Sequence, residues 1–166
     1  MELQSANGAR ESNFEIVVKT DFELTKIGTL ISTIYLKVGN NNFPSEGWYD
    51  LTVAVLNDWL YELAQVVSGN STKANCRFYD GPYCFDVEKQ KDNLWHVQFV
   101  NGRKGDLCVY EFSIESEKVI DSLLSTAKFV IAECEKRNIE PKDFKSLEDK
   151  FRNFQHQAIQ YKSTIV

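Results

Sequence analysis

Tyr83-Cys84-Phe85-Asp86-Val87-Glu88, Trp95-His96-Val97-Gln98-Phe99 and Cys108-Val109-Tyr110-Glu111-Phe112-Ser113-Ile114 alternate bulky apolar residues with polar ones. A period of two is the signature of a strand with one buried face. Asp80-Gly81-Pro82 precedes the first run, Lys89 to Asn93 separates the first two, and Asn101-Gly102-Arg103-Lys104-Gly105-Asp106 separates the last two. These are turn residues, so neighbouring runs pair as hairpins. Ala74, Cys76 and Phe78 alternate with Asn75, Arg77 and Tyr79 just upstream. Four consecutive strands therefore form an antiparallel meander whose inner face carries Tyr83, Phe85, Val87, Trp95, Val97, Phe99, Cys108, Tyr110, Phe112 and Ile114.

Upstream, Phe14, Ile16 and Val18 alternate with charged or smaller residues and predict a strand. A β-branched run from Gly28 to Val38 predicts another. The loop Gly39 to Gly47 ends it. A helix is predicted over Trp48–Val67, where Trp48, Leu51, Val55, Trp59, Leu63 and Val66 fall near helical spacing and Val53, Ala54, Leu56 and Leu60 widen the stripe. A stripe that wide implies burial against a sheet, and Asp50 in the first turn suits the positive end of the helix dipole.

Downstream, Ser116 is expected as an N-cap with Glu117 inside the helix. Ile120, Leu123, Leu124, Ala127, Val130, Ile131 and Cys134 trace one helical stripe, and Asn138 is expected at the C′ position. Pro141 opens a last helix whose Phe144, Leu147, Phe151, Phe154, Ala158 and Tyr161 make a narrow seam. The order β-β-α-β-β-β-β-α-α predicts an α+β fold, an antiparallel sheet of about six strands with helices packed on it. Residues 1–12 are patternless and read as a flexible tail, leaving one domain over residues 13–162.

The chain has 166 residues, 43% of them hydrophobic, with 19 Lys+Arg against 24 Asp+Glu for a net charge of −5. That balance argues against a basic nucleic-acid-binding surface. No apolar run approaches the ~20 residues of a membrane span, and the N-terminus lacks the pattern of a signal peptide. A cytoplasmic protein is expected. Cys76, Cys84, Cys108 and Cys134 form no CxxC pair, which argues against a zinc knuckle or a redox motif. They read as small buried hydrophobes. A Cys76–Cys84 bridge across a hairpin is the alternative in an oxidising compartment.

The residues carry no familiar catalytic signature, and no cofactor, metal site or catalytic residue is assigned. His96 and His156 have no ligand or triad partner at suitable spacing and are expected as surface or edge imidazoles. Gly102 to Gly105 reads as a hairpin tip. Asp86 and Glu88 share one strand face, a spacing that paired-carboxylate chemistry uses, but the simpler expectation is the solvent face of the strand.

Charge is unevenly placed. Residues 1–115 hold 16 acids and 10 bases, whereas residues 116–166 hold 8 acids and 9 bases. No Lys or Arg occurs between Lys37 and Lys73, while Glu46, Asp50, Asp58 and Glu62 all do, interleaved with Phe43, Trp48, Tyr49, Trp59 and Tyr61. Such a segment is either the solvated edge of a buried helix or an acidic, aromatic surface that steers a cationic partner. The candidate contacts are Glu46, Trp48, Tyr49, Asp50, Asp58, Glu62, Tyr79 and Asp80, with Trp48 the first expected to turn inward.

Two stretches, Asn42-Phe43-Pro44-Ser45-Glu46-Gly47-Trp48-Tyr49-Asp50 and Tyr79-Asp80-Gly81-Pro82-Tyr83, together resemble a group of small bacterial proteins, some of which look like immunity proteins of polymorphic or contact-dependent toxin systems. The resemblance spans roughly residues 42–85. It implies a small acidic, cytoplasmic, non-enzymatic protein that blocks a cognate toxin, often a basic nuclease, by direct binding. Two other classes stand beside it. One is a small hydrolase using Asp80, Asp86 or His96. The other is an assembly subunit pairing through the Phe144–Tyr161 seam, although packing of that seam within a monomer is favoured.

Overall fold

Two β-sheets, not one, share a single core with three helices. The computed structural model describes residues 8–165. The larger sheet is the meander: β7 (Lys73–Arg77), β8 (Tyr83–Lys89), β9 (Leu94–Asn101) and β10 (Leu107–Glu115), joined antiparallel in that order. Asn75 lies opposite Asp86, Asp86 opposite Gln98, and Gln98 opposite Glu111. That register turns Phe85, Val87, Trp95, Val97, Phe99, Phe112 and Ile114 inward, and all are buried. A bulge between Cys108 and Tyr110 shifts the register by one residue. Cys108 thereby lies opposite Val100 and is exposed, instead of sharing the inner face with Tyr110.

The smaller sheet forms around β4 (Leu30–Val38), which pairs with β2 (Glu15–Val18), β3 (Glu23–Leu24), β5 (Asn41–Phe43) and β6 (Tyr49–Asp50). Leu36 and Lys37 pair with both β2 and β5, so those strands flank β4 on opposite sides. Phe43 joins the two sheets. Its ring stacks on Phe99 at 4.6 Å and 8°, and meets Phe78 and Tyr83 edge-on.

The large sheet is mixed, because β1 (Ala9–Arg10) runs parallel to β10, with Ala9 opposite Phe112 and Arg10 opposite Ser113. Of the expected tail, residues 1–7 lie outside the described residues, while the part from Gly8 onward is tied down. The Glu11 amide donates to the Ser113 carbonyl, and the Tyr110 hydroxyl donates to the Glu11 carboxylate.

Helix α1 spans Thr52–Val67, four residues shorter than predicted. Residues 48–50 belong to the sheet instead, since the Ile34 amide donates to the Trp48 carbonyl and Asp50 pairs with Ser32. Asp50 accordingly precedes the helix and does not occupy its first turn. Helix α2 (Ser116–Lys136) has Ser116 as its first residue and Glu115 at the N-cap, displacing the predicted cap by one. It ends as predicted, with Asn138 left-handed at φ 54°. The Ile139 amide reaches the Cys134 carbonyl and the Asn138 amide reaches that of Glu135, a Schellman closure. Helix α3 (Phe144–Thr164) starts three residues after Pro141, and its seam packs on both α1 and α2.

Helix side chains close two sheet edges. Ser122 and Thr126 of α2 hydrogen-bond the Ile16 amide and carbonyl on β2. Asp58 and Trp59 of α1 do the same for Arg77 on β7. Edge groups left bare invite pairing with other chains, so these bonds both orient the helices and protect the edges.

Candidate functional site

Asp50 organises the surface that the sequence singled out. Its side chain is almost fully buried, at 2% exposure. One oxygen accepts from the Leu51 amide at 2.7 Å and the Asp80 amide at 3.0 Å. The other accepts from the Tyr79 amide at 3.0 Å and the Trp48 indole Nε1 at 3.2 Å. Removing a carboxylate from water costs several kcal/mol. Hydrogen bonds to a charged group contribute about 1.5–3 kcal/mol each, so four are of the right size to offset that loss without a cation. Asp50 is therefore no free contact residue. It pins the turn after β7 against the start of α1.

That turn needs Gly81. Its φ is 97°, a conformation side chains rarely adopt, and a Cβ there would lie 3.1 Å from the Tyr83 ring and 3.3 Å from Trp48. Trp48, expected in the core, is half-buried as a buttress, edge-on to Tyr83 at 5.1 Å.

Around this anchor lie two adjoining hollows that share Tyr79. The first, about 290 Å³, is lined by Ile31, Tyr49, Asp50, Leu51, Tyr79 and Asp80. The second, about 320 Å³, lies between α1 and the start of α3, where Asp58, Tyr61 and Tyr79 face Asp143 and Lys150. Tyr49, Tyr61 and Tyr79 are 38%, 53% and 43% exposed. Three of the exposed aromatic rings thus fall on one surface. Burial first, then the neighbouring Glu23 and Asp21, push the Tyr49 phenol up. Burial, Asp58 and Asp50 do so for Tyr79, against the opposing pull of Arg77.

Of the eight predicted contacts, Tyr49, Asp50, Tyr79 and Asp80 converge on the first hollow and Asp58 on the second. Asp58 is engaged with β7, where Arg77 Nη2 is 3.4 Å from its carboxylate. Glu62 departs from the set. It lines a different hollow on the outer face of the large sheet, with Lys73, Asn75, Asp86, Glu88 and Gln98. Glu46 is exposed on the loop before β6 and lines neither tyrosine hollow. Tyr61, Asn57 and Lys150 complete the second hollow but were not among the predicted contacts. Tyr61 showed only as an aromatic in an acidic segment, and the docking of α3 that brings in Lys150 has no local sequence signal.

No family model, characterised protein or solved structure matches this chain.

The groups considered for hydrolysis lie on different surfaces. Asp80 belongs to the tyrosine surface. Asp86 and His96 face outward from the large sheet, where Asn75 Nδ2 donates to Asp86 at 2.6 Å and His96 Nε2 lies 3.1 Å from Glu111. Among the described residues no cluster of three or more His, Cys, Asp and Glu is placed to hold a metal, and no helix is long and apolar enough to cross a membrane. The four thiols are unpaired. Cys76 lies opposite Phe85 on the inner face while Cys84 lies opposite Arg77 on the outer, so the register forbids the Cys76–Cys84 bridge. Cys76 and Cys134 are buried as expected, whereas Cys84 is half-exposed and Cys108 exposed.

Proposed function

We propose that this chain is a non-enzymatic binding protein, an immunity protein that neutralises a cognate basic protein toxin by one-to-one association through the tyrosine surface. The grouping of Tyr49, Tyr61 and Tyr79 around Asp58, Asp80 and Asp143 carries this reading. Tyrosine offers a large apolar body and a hydrogen-bonding tip at low rotamer cost, which makes it a recurrent anchor of protein interfaces. Carboxylates around such anchors accelerate encounter with a cationic partner. The rings stand on α1, β6 and a turn fixed by Asp50, so little ordering remains to oppose binding.

The test is calorimetric and kinetic titration of the chain against the product of any toxin gene that neighbours its own. One-to-one binding with a nanomolar Kd is expected, weakened at least about tenfold by Tyr79→Ala. The association rate should fall as salt rises from about 50 to about 300 mM. Absence of binding, or binding indifferent to both Tyr79→Ala and salt, would refute the proposal.

A further inference from the structure

The two hollows beside Tyr79 both set tyrosine rings beside carboxylates, but the first is the more apolar and they differ in their cations. In the second, the chain supplies its own cation: the Lys150 ammonium lies over the Tyr61 ring at 5.8 Å and donates to the Asn57 carbonyl. The first has tyrosine walls and two carboxylates, Asp50 and Asp80, with no Lys, Arg or His in its lining. The Asp50 oxygens are filled by four N–H donors and no cation of the chain bonds them. The Asp80 carboxylate, exposed at the rim, makes no hydrogen bond or ion pair among the described residues.

Resting on the binding reading above, we infer that the hollow between Tyr49 and Tyr79 is the seat of a partner arginine, whose guanidinium lies against the phenol rings and bonds the Asp80 carboxylate. A guanidinium is planar, stacks on aromatic faces and presents paired N–H donors to a carboxylate. It is also less strongly hydrated than an ammonium, which favours it in a half-apolar pocket. Ile31 and Leu51 supply apolar surface for the methylene stem. Asp50 adds long-range attraction from below without offering a free oxygen, leaving Asp80 as the carboxylate that makes contact. Burial is the main cause that raises the Tyr49 and Tyr79 phenols, and the carboxylates nearby add to it.

The probe is Nα-acetyl-arginine methylamide, titrated into the full chain and followed by amide chemical shifts, with the isosteric citrulline derivative as control. Saturable shifts confined to Ile31, residues 49–51 and residues 79–81 are expected. They should weaken at least about fivefold in Asp80→Asn, which removes the charge-assisted bond, and should be absent with citrulline. Asp80→Asn keeps the backbone amide that bonds Asp50, so the turn survives the substitution. Equal shifts with citrulline, or shifts spread evenly over the surface, overturn the assignment. A toxin whose binding depends on Tyr61 and Tyr79 but is indifferent to Asp80→Asn would also overturn it while leaving the binding proposal standing.

Discussion

Asp50 shows how a residue chosen for one role fills another. Its position in an acidic, aromatic stretch was legible, but its four donors come from residues 48, 51, 79 and 80, and the last two meet it only through the fold. Asp50→Ala should strip the Leu51, Tyr79 and Asp80 amides of their acceptor, at about 1 kcal/mol each. Urea unfolding should show a loss of about 3 kcal/mol, accompanied by faster amide exchange at Tyr79 and Asp80. Tyr110 gives a prediction in pH. Burial, and then its bond to the Glu11 carboxylate, push the Tyr110 phenol up to about 12. A group whose folded pKa is raised contributes its full stability below its unfolded pKa of about 10 and loses it as pH rises through the folded value. Stability should therefore decline between about pH 10 and pH 12 more steeply in the native protein than in Tyr110→Phe. The same substitution should speed exchange of the Glu11 amide, because it frees the segment that β1 anchors.

At the level of elements, alternation and helical spacing made the four meander strands, the two long N-terminal strands and all three helices readable. Strands of two or three residues were not, since β1, β3, β5 and β6 form by pairing with β4 or β10 and have no periodicity of their own. The extra sheet and the parallel edge therefore went unseen. The bulge after Cys108 was equally invisible, because one inserted residue leaves local composition unchanged while reversing which side chain faces inward. Thiol chemistry reads this register directly. Burial pushes the Cys134 thiol up to about 11 and raises Cys76 as well. In the native protein Ellman's reagent should modify Cys108 first and Cys84 more slowly, with Cys76 and Cys134 reacting only after unfolding. Under oxidising conditions, non-reducing peptide mapping should yield no Cys76–Cys84 disulfide. Its appearance in folded protein would contradict the register of β7 and β8.

Across the whole molecule, the tyrosine surface exists because two sheets are locked at one corner. Phe43, from the small sheet, is 4% exposed and touches Phe99, Phe78 and Tyr83 of the large sheet and its turn. Phe78 in turn meets Trp59 of α1 edge-on at 5.1 Å, and its carbonyl leads directly into Tyr79. The ring that joins the sheets therefore also supports the segment presenting the shared wall of both hollows. Buried Phe→Ala substitutions cost about 3–5 kcal/mol, and Phe43→Ala should fall in that range. One buried cluster runs from Phe14 to Tyr161, so the loss should appear as a single transition, with tryptophan emission and far-ultraviolet dichroism coinciding. Below that transition the damage should be local. Amides of Tyr79 and Asp80 should exchange faster, while those around Trp95, which packs on Tyr161 of α3, keep their protection. The toxin binding proposed for the tyrosine surface should weaken in Phe43→Ala even under conditions where the protein is fully folded, because the variant loosens the turn without touching an exposed tyrosine. Two separate unfolding transitions would mean that the sheets are independent units and that the corner at Phe43 does not hold the surface together.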